Sequence, residues 1–370
     1  MEDFSRTMER VLNKAGTDSA GFKSMIEGLV SMGRVKEARN WLRLDNNRHG
    51  VIQLSDESQA ALKTVDMSSH GRIVPGKEPA SYVDLSDREL PEFLSASELP
   101  LRSSKQERCT ISFQDDALQA GIKFSYISGH EGSARSIRVF ESTGGGTGVI
   151  DFDNDGQPDL FLTQGERWPL KSRHPESSPE RDSLFRQRNG QFGDVSILAG
   201  LDDNSYSQGV CSADFNNDGL PDIYVGNIGC NRLLLNNGDG TFSDCSTVAG
   251  LSETAWTTSC LILDLNSDGN PDLYDVNYLE GDDVFYVECG DNRCSVSNFA
   301  GAQDTVLISN GDGTFTKLPD ACPTTTPKGL GIVSIPSDSS RQPMLFVAND
   351  QVPNFCLRWN NNRYEDEALL

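Results

Sequence analysis

The sequence predicts a mainly β chain: a partial β-propeller with four recognisable blades, and a small α-helical amino-terminal region. Three observations point there. An acidic loop of one fixed pattern recurs at residues 151, 214 and 264. Short apolar and aromatic runs stand on both sides of each loop and read as strands. Further along each unit comes a second pair of runs around an Asn-Gly or Asp-Gly turn, a strong hairpin signal. The loops start 63 and 50 residues apart. Four short strands per unit at roughly this period are the pattern of a propeller.

In chain order, residues 1–44 read as helices. Phe4, Met8, Val11 and Leu12 share one face, and Phe22, Met25, Ile26, Leu29 and Val30 share another. Val35, Ala38, Trp41 and Leu42 continue the pattern beyond Gly33. The stretch "GRVKEARNWLRL" resembles the second helix of a tetratricopeptide unit. One or two such units bury too little to stand alone. Residues 45–108 are polar and read as a linker with a short helix near 86–96. The propeller is expected over 109–370. Its first segment, "TISFQDDALQAGIKF", contains an F-x-D like those ending the later units. It is expected to add an outer strand to the last blade and so close the ring.

The first loop reads "DFDNDGQPDLFL". It places Asp151, Asp153, Asp155 and Asp159 at positions one, three, five and nine, with Gly156 at six. Like charges this close repel and call for compensation. Side-chain oxygens at this spacing suit calcium, which takes six to eight oxygen ligands at about 2.3–2.6 Å. The glycine permits the tight turn, and the backbone carbonyl of Gln157 is expected to complete the ring. The second loop offers Asp214, Asn216, Asp218, Leu220 (by its carbonyl) and Asp222. The third offers Asp264, Asn266, Asp268, Asn270 (by its carbonyl) and Asp272. Asparagine at position three keeps an oxygen donor and lowers the charge. An EF-hand would need a bidentate Glu at position twelve, where this chain has Leu162, Val225 or Asp275. About three Ca2+ sites are therefore expected. A fourth unit, "GIVSIPSDSSRQPMLFVANDQVPNFCLRWNNNRYED", keeps its strands but loses the acidic ladder. Only Asp338 remains near it, so no metal is expected there.

These units resemble FG-GAP (VCBS-type) repeats, the blades of integrin-alpha-like β-propellers, over about 109–370. "ESTGGGTGVIDFDNDG" and the "F-x-D…aGL" endings are closer still to proteins that carry an ASPIC/UnbV domain, whose C-terminal module is expected to be missing. The resemblance implies that the ten aspartates and two asparagines named above bind calcium. It implies a non-catalytic, adhesion-like recognition module for protein or carbohydrate, in an extracytoplasmic setting. The first 25 residues hold no signal-peptide core. Four units fall short of the seven blades of the resembling fold, and Leu370 stands where the next blade would follow, so a fragment of a larger ring is expected.

Composition agrees with a turn-rich β protein: 36% hydrophobic residues and 34 glycines. The net charge of −23 argues against nucleic acid or an anionic membrane as partner. No apolar run is long enough to span a bilayer. Among nine cysteines, Cys289 and Cys294 flank "GDNR" and are candidates for a local disulfide.

The connection between the second and third strands of a blade lies on the face opposite the acidic loops. Long insertions there in the first and third units carry Trp168, Tyr278, Phe285 and Tyr286. These are expected either to anchor a ligand at the rim or to fold back over the blades. No nucleophile-elbow, zincin or P-loop motif occurs. "STGGGTG" leads into a strand, not a helix, so it lacks an anion-binding helix end. The alternative to a recognition module is a polysaccharide-acting propeller enzyme, with its site on the insertion face near His130 or His174.

Overall fold

A computed structural model describes residues 19–31, 35, 38–39, 42, 53–64, 112–129, 136–167, 180–201, 205–281, 283–290, 295–323, 327–335, 343–360 and 362–367. The chain is mainly β, and its blades follow one another as a partial β-propeller.

Each blade is an antiparallel four-stranded meander. The first comprises β1 (Thr147–Ile150), β2 (Asp159–Leu162), β3 (Ser183–Arg188) and β4 (Gln191–Asp194). The second comprises β5 (Tyr206–Ala213), β6 (Asp222–Cys230), β7 (Arg232–Asn236) and β8 (Phe242–Asp244). The third comprises β9 (Thr254–Leu263), β10 (Asp272–Asn277), β11 (Thr305–Ser309) and β12 (Phe315–Lys317). The fourth comprises β13 (Gly329–Ile335), β14 (Met344–Asn349), β15 (Phe355–Asn360) and β16 (Arg363–Asp366). Thr254–Trp256 of β9 also pair with Ile228–Cys230 of β6, which joins blades two and three into one sheet.

Alternate residues of each strand face the neighbouring blade. Leu184, Phe161 and Ile150 of the first blade pack on Ile223, Val225 and Leu234 of the second. Tyr224, Leu233 and Leu235 pack on Ile262, Leu273 and Leu307. Tyr274, Val276 and Val306 pack on Leu345, Val347 and Leu357. The core is thus a series of layers between blades.

Two hydrogen-bond patterns repeat around the series. At the insertion face, an Asp or Asn just before the third strand accepts a backbone N–H from near the end of the second. Asp182 takes Gln164 N, Asn231 takes Asn227 N, Asp304 takes Asn277 N and Asn354 takes Asn349 N, all at 2.7–2.9 Å. The second pattern ties each blade to the alanine of the turn before it. Phe242 N donates to Ala199 O (2.7 Å), Phe315 N to Ala249 O (2.9 Å) and Tyr364 N to Ala321 O (2.6 Å).

The same bond runs from Phe192 N to Ala120 O at 2.7 Å. This corrects one expectation. The described parts of the 109–140 segment are residues 112–129, which contain no strand, and 136–140, whose short strand Ser136–Ile137 pairs with Cys289–Gly290; neither part pairs with the last blade. The segment's Ala-Gly turn docks on the first blade, in the position each later turn takes on the blade after it. The F-x-D of this segment marks the turn rather than a strand, and Phe113 is exposed.

In the amino-terminal region, α1 (Ser19–Ser31) and α2 (Asp56–Thr64) pack together. Phe22, Met25, Ile26, Leu29 and Ala38 share a core with Leu54 and Leu62, flanked by Val30, Val35 and Leu42. The helical packing therefore reaches Thr64, into residues read as linker. Phe4, Met8, Val11, Leu12, Trp41 and the helix expected at 86–96 lie outside the described residues. No helix among the described residues is long and apolar enough to cross a membrane.

Candidate functional site

All three acidic loops join the first and second strands of a blade and lie on one face. Asn217 Nδ2 of the second reaches Gly269 O of the third at 3.1 Å. They share one internal construction. The position-one carboxylate accepts the N–H of positions five and six. For Asp151 these are Asp155 N (3.0 Å) and Gly156 N (2.9 Å), for Asp214 they are Asp218 N (2.9 Å) and Gly219 N (2.7 Å), and for Asp264 they are Asp268 N (3.1 Å) and Gly269 N (3.0 Å). The position-five carboxylate accepts the N–H of position seven: Gln157 N at 2.9 Å, Leu220 N at 2.8 Å and Asn270 N at 2.8 Å. Positions four and six turn through the left-handed region. Asn154, Asn217 and Ser267 have φ of 53°, 59° and 64°, and Gly156, Gly219 and Gly269 have 82°, 85° and 90°. Open space surrounds Gly156 and Gly269, so φ and not crowding is the reason for glycine there.

Position nine is different in kind. Asp159, Asp222 and Asp272 are fully buried. Each accepts one N–H from its own loop and one from its third strand. Asp222 takes Phe215 N at 3.2 Å and Asn236 N at 2.7 Å; Asp159 takes Phe152 N and Gln187 N, and Asp272 takes Leu265 N and Ser309 N. Burial pushes Asp159 up to about 7 and Asp222 up to about 8, and it raises Asp272; neighbouring loop carboxylates add to each shift. The two N–H donors oppose this rise, and a nearby positive charge would favour the ionised form further. An all-oxygen donor set of this density fits a hard cation such as calcium. In the first loop, oxygens of Asp151, Asp153 and Asp159 lie within 4.8 Å of one another. There, however, Asp153 also meets Arg186 Nε at 2.9 Å and Arg188 Nη2 at 3.7 Å. In the fourth blade Met344 takes the place of the position-nine aspartate, as its pairing with Ile335 shows. Asp338 lies outside the described residues.

The opposite face holds the insertions, and the aromatic residues named from sequence separate there. Tyr278 is buried, which corrects its expected place at the rim. Its ring stands edge-on to Trp256 at 4.9 Å, and its hydroxyl donates to Asp350 Oδ2 at 2.7 Å. Phe285 is half-buried, with its ring 6.0 Å from Phe140. Both fold back because an apolar cluster of Val139, Phe140, Tyr206, Trp256, Leu279 and Val284 covers the blade ends. Tyr286 stays 71% exposed. Trp168, His130 and His174 lie outside the described residues.

Tyr286 borders a cleft of about 950 Å³ between blades two and three. Trp256, Asn277, Glu280, Gln303 and Lys317 line it too. Lys317 pairs with Glu253 at the mouth. These residues come from the strand ends and insertion of the third unit, and Ile228 and Gly229 of blade two complete the wall; apart from Tyr286, nothing in the local sequence singles them out. Cys289 is in a disulfide; its partner lies outside the described residues, where the expected Cys294 also stands. Cys211, Cys230, Cys245, Cys260, Cys322 and Cys356 are free thiols.

Residues 151–225 and 214–274 match the FG-GAP-like repeat family, so the chain carries two FG-GAP-like repeats. No curated protein matches it. Among solved structures it is similar to an Agrocybe aegerita lectin whose structure concerns recognition of non-reducing terminal N-acetylglucosamine. Identity is 15% and the TM-score 0.34; the match covers 59% of this chain and 50% of the lectin. The chain therefore spans about half the length of that relative.

Proposed function

We propose that the chain is a non-catalytic recognition module. It is a calcium-stabilised partial propeller that holds a protein or carbohydrate ligand in the cleft on its insertion face. The observation that carries this reading is the cleft itself. Its volume of about 950 Å³ falls within the roughly 300–1,000 Å³ of ligand sites. Its wall combines an exposed tyrosine ring with polar side chains. Tyrosine offers large contact area at low entropic cost, and the exposed Glu280, Gln303 and Lys317 offer polar groups.

The acidic loops stand at the other ends of the same strands. In this reading the loop carboxylates ligate calcium, which neutralises them and holds the turns without touching the ligand. The adhesion-like role and the extracytoplasmic setting belong to the same proposal. The disulfide at Cys289 supports an oxidising compartment. The "ESTGGGTGVIDFDNDG" opening supports kinship with the ASPIC/UnbV-associated proteins.

The test is a binding screen of immobilised glycans and proteins with the calcium-loaded chain, repeated with Tyr286→Ala. The expected result is a bound ligand whose affinity falls at least tenfold in the variant, with an unchanged unfolding midpoint, because Tyr286 is solvent-exposed. Undiminished binding by the variant would move the site away from the cleft.

A further inference from the structure

The repeats of this chain serve as controls for one another. Strand pairing aligns Leu160, Ile223, Leu273 and Leu345 across the blades, and with them Phe185, Leu234, Leu307 and Leu357 on the third strands. The next residue is then Arg186 in blade one, Leu235 in blade two, Ile308 in blade three and Arg358 in blade four. Two residues further on stand Arg188, Asn237, Asn310 and Asn360. Position three of the acidic loop varies in step: Asp153 where the third strand supplies arginine, Asn216 and Asn266 where it supplies Leu235 and Ile308.

The geometry explains the pairing. The side chains of Arg186 and Asp153 are 5% and 3% exposed, and Nε stands 2.9 Å from Asp153 Oδ2. Arg188 Nη2 approaches the same oxygen at 3.7 Å. The Arg186 guanidinium also lies over the Phe152 ring, 5.0 Å from its centroid, inside the layer between blades one and two. It cannot swing into solvent without abandoning both a buried carboxylate and a ring face. The first loop therefore carries four carboxylates against two guanidinium groups, a net −2. The second and third loops carry three carboxylates each, with Leu, Ile and Asn at the arginine positions, a net −3. A dication seated among Asp151, Asp153 and Asp159 would share Asp153 with a buried guanidinium, and like charges in a low-dielectric layer repel strongly. Arg358 shows the same reach where no ladder exists: its Nη2 lies 3.0 Å from Met344 Sδ, at the position-nine residue of blade four.

We infer that the first acidic loop carries its own cation. Arg186 supplies the charge that a divalent ion supplies in the other two loops, so the chain takes two calcium ions, not three. This rests on the calcium reading above.

The test is to count bound calcium on the folded chain by equilibrium dialysis. Two ions per chain are expected. Asp155→Ala leaves the count at two, whereas Asp218→Ala and Asp268→Ala each lower it by one. Asp153→Asn with Arg186→Leu puts the blade-two residues at both positions of the buried pair and is expected to raise the count to three. Three ions on the unaltered chain, or loss of an ion in Asp155→Ala, overturns this inference and leaves the calcium reading intact. No calcium on the unaltered chain overturns both. The counts on the unaltered chain stand even if the double variant fails to fold.

Discussion

A buried carboxylate away from the loops shows what a single residue does to the stability of this fold. Asp275 is nearly inaccessible, and the Tyr224 hydroxyl donates to its Oδ1 at 2.8 Å. Burial is the largest influence and raises its pKa to about 7; the Tyr224 and Asn231 donors and Lys317 oppose this, and Glu253 adds to it. The ordinary carboxylate value is about 3.9. The folded state therefore holds a proton that the unfolded chain releases. Stability from this group is full below about pH 4, is lost as pH rises towards about 7, and stays lost above. Asp275→Asn keeps an acceptor for Tyr224 and removes the titration. Unfolding midpoints measured between pH 4 and 8 are expected to fall less steeply with pH in the variant than in the unaltered chain. Equal slopes would mean that Asp275 is ionised in the fold.

At the scale of elements, the turn that precedes each blade matters as much as its strands. Gly121 has a φ of 95°, and a Cβ there would stand 2.4 Å from Phe192 O. Gly121→Ala therefore combines a left-handed backbone, costing about 1–2 kcal/mol, with a backbone clash that moves the Ala120–Phe192 bond. Gly269→Ala has the backbone cost but meets open space. Denaturant titration is expected to show Gly121→Ala as the more destabilising, by at least about 1 kcal/mol. Equal losses would mean that residues 112–129 do not dock on the first blade. The acidic loops are elements of the same kind: short turns whose hydrogen bonds are internal, and whose form was legible because those bonds need Asp, Asn and Gly at set positions.

At the scale of the whole molecule, the layers between blades couple the loops to global stability. A ligand that binds only the folded state adds RT ln(1 + [L]/Kd). Millimolar calcium is thus expected to raise the unfolding midpoint above that in EDTA, and Asp218→Ala with Asp268→Ala is expected to abolish most of the rise. A rise that survives in the double variant would place calcium elsewhere.

Local rules carried far in this sequence. Period, alternation and turn residues determined four meanders and three acidic loops. Those features depend on residues within one unit of chain, where sequence distance and spatial distance agree. The tertiary structure decided what spans units. It turned Tyr278 and Phe285 inward, because an apolar cluster drawn from several insertions and strand ends outweighs exposure at a rim. It gathered the cleft from strand ends of blades two and three. It also set Arg186 against Asp153, thirty-three residues earlier in the chain, an encounter fixed by strand register and by the layer that buries both, which no spacing within either segment records.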